Sequence, residues 1–161
     1  MAVWISPVFD RTNEDVVFAQ EQIQKWIDTK LSGDPVATYE LKGCFNLTDI
    51  NRIEGNIQYI SDRLNELHYP TGTSCRVWEQ SGLPTVGDVK RIISNIKFII
   101  AAYHQQRGIP DVPETMSTFS DINAIEVNLY AIKQLLDSMV EGFQKSGMSK
   151  SGAMRMLPIR R

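Results

Sequence analysis

Apolar residues return along this chain at helical spacing, and in four places they follow an aspartate in the same register. The clearest copy, LTDINRIEGNIQYISDRL, places Ile50, Ile53, Ile57 and Ile60 one, four, eight and eleven residues after Asp49. That spacing makes one continuous stripe on an α-helix. VGDVKRIISNIKFII repeats it as Val89, Ile92, Ile96 and Ile99 behind Asp88. FSDINAIEVNLYAIKQLL repeats it as Ile122, Ile125, Leu129 and Ile132 behind Asp121. A weaker copy stands upstream, with Val16, Ala19, Ile23 and Trp26 behind Asp15. Successive aspartates are 34, 39 and 33 residues apart, so each unit is one helix plus one connection.

Seven residues after the aspartate, the strong copies carry Asn56, Asn95 and Asn128, and the weak one carries Gln22. This position flanks the stripe. The asparagines are therefore expected at the edge of a helix–helix contact, fixing its register at some cost in stability. The competing reading is an exposed asparagine on each helix flank. Thr12, Thr48, Thr85 and Ser117 or Thr118 precede the aspartates and suit helix N-caps, and an acid in the first turn favours the positive end of the helix dipole. Glycine or proline follows each periodic run. The pattern predicts four helices, at about 13–30, 47–68, 85–106 and 118–143, in an all-α bundle built from a repeated helix-plus-long-loop unit. The segments VATYELKGCFN and TSCRVWEQSGLP contain β-formers and suit extended passages across the bundle. An α-solenoid would need a second helix in each repeat, which is missing.

Composition adds limits. With 161 residues, 42% hydrophobic and 22% charged, the chain is long enough for one domain with a real core. No run approaches the ~20 apolar residues of a membrane span. MAVWISPVF lacks the basic flank and cleavage site of a signal peptide. Cys44 and Cys75 belong to no metal-binding spacing, and a disulfide between them is not indicated. The net charge of −2 divides unevenly: residues 142–161 carry +5 and residues 1–141 carry −7. An acidic body presents no surface suited to nucleic acid. The organisation expected is an N-terminal arm over 1–11, the helical domain over 12–145 and a basic flexible tail over 146–161.

No catalytic constellation emerges. His68 and His104 fall near helix ends without metal-ligand spacing, and no GxSxG, P-loop or GxGxxG occurs. Arg52, Glu54 and Arg91 suit pairing with neighbours without forming a site. Trp4, Trp26 and Trp78 suit core or lid positions better than stacking platforms for nucleic acid. The reading is a non-enzymatic protein with no cofactor, no metal and no small-molecule substrate.

Two stretches point further. Lys42 to Asn56, read as KG-x-F-N-x-T-D-x-N-R-I-E-x-N, and Pro113 to Met116, PETM, resemble a segment of structural proteins of tailed bacteriophages and of prophages in Gram-positive bacteria. The resemblance covers roughly residues 4–140. It implies a helical module of a tail, baseplate or tail fibre, made in the host cytoplasm and located in the virion, with other virion proteins and further copies of itself as partners. The longer relatives continue into a fibre, whereas this sequence ends at Arg161, which favours an adaptor over a receptor-binding protein. Partner contacts are then expected in the arms, at Trp4 and Ile5 and at Met154, Arg155, Leu157, Arg160 and Arg161; frayed ends, or an N-terminal strand laid on the protein's own core, are the alternatives. A small cytoplasmic helical regulator that binds DNA or a host protein is the competing function. Its recognition surface would rest on Lys90, Arg91 and Lys97 of the third helix.

Overall fold

The repeated aspartates close each helix start. In a computed structural model, which describes residues 2–32, 41–79, 82, 84–103 and 107–145, they stand at the third helical position of reciprocal caps. Asn46 caps α2 (Leu47–Glu66) and Thr85 caps α3 (Val86–Ala102), each accepting from the aspartate N–H and donating its own N–H to the aspartate carboxylate. Thr12 and Asp15 do the same at α1 (Asn13–Ser32), and Thr118 and Asp121 at α4 (Phe119–Lys145). The cap is always three residues before the aspartate, the spacing a capping box requires. Thr48 therefore lies inside the first turn of α2 instead of capping it. Ser117, at the edge of α4, sends its N–H to the Asp121 carboxylate.

α2 ends in a Schellman turn. His68 adopts φ 64°, while its N–H bonds the Asn65 carbonyl and the Tyr69 N–H bonds the Leu64 carbonyl. His68 thus meets the last carbonyls of the helix through its backbone. His104 lies outside the described residues.

The described residues form four helices and no strand, so the protein is all-α. α2, α3 and α4 pack pairwise against one another. Their stripes make the core: Ile53, Ile57 and Ile60 from α2, Ile92, Ile96 and Ile99 from α3, and Ile125, Leu129 and Ile132 from α4 are all buried. Leu64, Leu136 and Trp78 extend it. α1 packs extensively against none of the other helices. Its first turn is met by the loop before α2, where Gly43 passes so close that a Cβ would stand 2.0 Å from the Asp15 carbonyl oxygen. Glycine after Lys42 is a steric requirement of that crossing, and Lys42 pairs with Asp10 and Asp15 beside it. No helix among the described residues is long and apolar enough to cross a membrane.

Candidate functional site

The three asparagines are buried, with relative exposures of 1%, 2% and 1% for Asn56, Asn95 and Asn128, which excludes the exposed-flank reading. Their hydrogen-bond partners are not on neighbouring helices, however. Asn56 Oδ1 accepts the Ile5 N–H at 2.9 Å, and its Nδ2 donates to the Ile5 carbonyl at 2.8 Å. Asn95 holds Ser74 in the same two-point manner, at 3.1 and 2.7 Å. Asn128 donates to the Pro110 carbonyl at 2.8 Å, and proline has no N–H to return. What these side chains register is extended backbone against helix. The Asn56 and Asn95 amides each imitate one residue of a β-ladder, exchanging N–H and C=O with a single partner residue, while Asn128 donates to Pro110 and to Ala124 of its own helix.

A second set of asparagines completes the pattern two residues after the aspartate. Asn51 clamps both backbone groups of Trp78, at 2.8 and 3.0 Å. Asn123 clamps those of Arg11, at 3.3 and 2.9 Å. Three extended segments therefore lie along the helices in cyclic order. Residues 5–11 bridge α2 and α4 through Asn56 and Asn123. Residues 74–78 bridge α3 and α2 through Asn95 and Asn51. In the third, Asn128 of α4 holds Pro110 while Lys97 of α3 pairs with Glu114 at 2.7 Å.

Charges follow the same cycle. Arg52 of α2 reaches Glu126 of α4 at 2.7 Å, and Arg91 of α3 pairs with Glu54 of α2. Glu54 and Glu126 each stand five residues after their aspartate, and Arg52 and Arg91 each stand three after theirs. At the remaining pair of equivalent positions the sequence has Ala124 and Ile93, neither of them charged. Around Glu126 the pair grows into a buried cluster. Arg11 bonds Asp49 at 2.7 Å and Glu126 at 3.3 Å, Arg52 also bonds Asp49, and Glu126 accepts the Val8 N–H. Arg11 Nε is the buried side-chain atom left without a partner among the described residues. Glu54 accepts the Trp78 indole N–H at 3.2 Å, and the Arg76 guanidinium stacks over that ring, 3.5 Å from its centroid.

The neighbouring thiol is chemically quiet. Burial pushes Cys75 up to about 12, with the Glu54 charge adding to the effect, so it stays protonated at neutral pH. Burial also raises Cys44, and both cysteines are unpaired. Among the described residues no group of three or more His, Cys, Asp or Glu is placed to hold a metal. A cleft of about 340 Å³ opens at the base of α1, lined by Arg11, Val16, Phe45, Met116, Phe119 and Ile122.

The expected N-terminal arm is fastened to the protein itself. Trp4 packs beside Tyr59 at 5.7 Å between ring centroids, and Ile5, with its side chain exposed, is held by its backbone. Residues 4 and 5 thus lie against the protein's own α2, in a segment that pairs with no strand among the described residues. Met154, Arg155, Leu157, Arg160 and Arg161 lie outside the described residues. Arg11, Asp49, Asn51, Asn123 and Glu126 were not singled out from the sequence as a site. For Asn51, Asn123 and Glu126 the signal was in the repeat: aligned columns two, three and five residues after the aspartate carry Asn, Arg and Glu in two copies each.

No protein-family model matches this chain, and no curated protein or solved structure matches it either.

Proposed function

We propose that this chain is a non-enzymatic structural protein of a phage virion, a tail, baseplate or tail-fibre adaptor that associates with copies of itself and connects virion components. The observation that carries the reading is the use of its buried polar groups. Asn51, Asn56, Asn95 and Asn123 hold the chain's own extended segments, and Glu54 and Glu126 are engaged by arginines and by Trp78 or Val8. Such buried polar networks fix one arrangement of the chain, a property suited to a load-transmitting part. The resemblance of residues 42–56 and 113–116 to phage tail proteins supplies the location. The regulator alternative gains no support from α3, since Arg91 is tied to Glu54 and Lys97 to Glu114. Electron microscopy of purified particles carrying labelled protein tests the proposal: label at the tail or baseplate supports it. Label-free particles, together with a salt-sensitive DNA mobility shift, would favour the regulator.

A further inference from the structure

Three of the four repeat units bury their stripes against each other, and among the described residues the fourth packs extensively against none of them. In α1 the stripe positions Ile23 and Trp26 are 41% and 40% exposed, whereas their equivalents Ile57, Ile96 and Leu129, and Ile60, Ile99 and Ile132, are buried in the core. Ile27 beside them is exposed as well, and Lys30 extends over the Trp26 ring with its Nζ 4.6 Å from the centroid. The cap, the aspartate and the stripe of α1 match the other units, so the surface has the form of a helix that packs in threes.

We infer that α1 is the self-association helix of this protein, and that three copies of the chain bring their α1 helices together in a second three-helix core. This deepens the self-association part of the proposed function and rests on it only there. The occupant is the chain itself, because within the molecule the surface that covers such a stripe is the same stripe on two other units. The exposed half is also continuous with a covered one: Ala19 is buried, and Gly43 crosses against Asp15 and Val16 at the helix base. α1 has 20 residues, about 30 Å of helix, long enough for its stripe to run through a three-helix contact. Closed cyclic symmetry leaves no stripe exposed at the end of an assembly. Ile23 and Trp26 would lie at the centre, with Ile27 alongside and Lys30 keeping its charge at the rim, its stem along the indole.

Light scattering on the full-length chain at micromolar concentration tests this, with Ile23→Gln/Trp26→Gln and Ile23→Ala/Ile27→Ala as variants. Three times the 18.3 kDa chain mass is expected for the native protein, falling to the single-chain mass in the first variant and dissociating at higher concentration in the second. Circular dichroism should show the α2–α4 core melting at the same temperature in the dissociated chains. A native monomer or dimer, or a trimer that both variants preserve, overturns the inference. Incorporation of label into particles is read separately, so a monomeric chain that still enters the tail overturns the trimer and not the virion role.

Discussion

Asn56 lies fifty-one residues from Ile5 in sequence and meets it through two hydrogen bonds, one to each of its backbone polar groups. A side chain on a helix thereby takes the place of a neighbouring strand. Replacing Asn56 by leucine should remove both bonds and leave the Ile5 N–H and carbonyl to find water, at a cost of about 1–3 kcal/mol. The measurement is amide hydrogen exchange: Ile5 should exchange faster while the core amides of α3 keep their protection. Unchanged exchange at Ile5 would sink the clamp.

Core truncations should cost more. Ile57, Ile96 and Leu129 occupy equivalent positions and are fully buried, so each change to alanine is expected to lower stability by about 2–5 kcal/mol in denaturant melts. Losses near zero at two of them would contradict the threefold core.

The ion pairs allow a sharper comparison, because nature has left one position of the cycle apolar. Arg91→Leu alone leaves Glu54 buried without its main cation, and breaking such a pair costs on the order of 3–5 kcal/mol. Adding Glu54→Leu should recover much of that loss, as Ala124 and Ile93 do without charge at the equivalent positions. Recovery stays incomplete, since the Trp78 indole loses its acceptor. A double-mutant cycle on unfolding free energies measures the difference.

Acid should weaken the helix caps. The Thr85 hydroxyl and N–H hold Asp88 below its ordinary 3.8, and the Thr12 N–H holds Asp15 below it too. A carboxylate depressed in the folded state adds stability that is present above the unfolded value and is lost as pH falls through the folded one. Melting temperature should therefore fall as pH drops below about 4, and Asp88→Asn should flatten part of that slope. An identical pH profile in the variant would show that the cap does not contribute.

His68 offers a stabilising change. A non-glycine residue in the left-handed region is disfavoured by about 1–2 kcal/mol, partly offset by the extra freedom of glycine in the unfolded chain. His68→Gly should raise stability by up to about 1 kcal/mol on that balance, read as a higher midpoint in urea at unchanged slope.

Periodicity carried the helices and the core because stripes of isoleucine are a local signal. α2 starts where expected, and the nine core positions named from the repeat are all buried. The asparagine column was visible too, but its partners were not. Ile5, Ser74 and Pro110 are held by their backbone, and backbone groups leave no trace in residue identity. Arg11 was hidden for another reason: it precedes α1 and reaches Asp49 and Glu126 only after the whole chain has turned back on itself. Thr48 illustrates the remaining error, a cap assigned by proximity to the aspartate when the geometry of the box demands a spacing of three.

The docking of residues 5–11 also sets an order of events during synthesis. Val8 and Arg11 take their places on α4, across 118 and 112 residues of chain, so these early residues leave the ribosome long before their seats exist. Closing loops of that length comes late and slowly compared with forming a helix. Until Glu126 and Asn123 are made, Val8 and Arg11 have no seat on α4, although Ile5 can already meet Asn56. A chaperone that shields residues 8–11, or slow translation before α4, would therefore change how much protein folds correctly without changing the stability of what does.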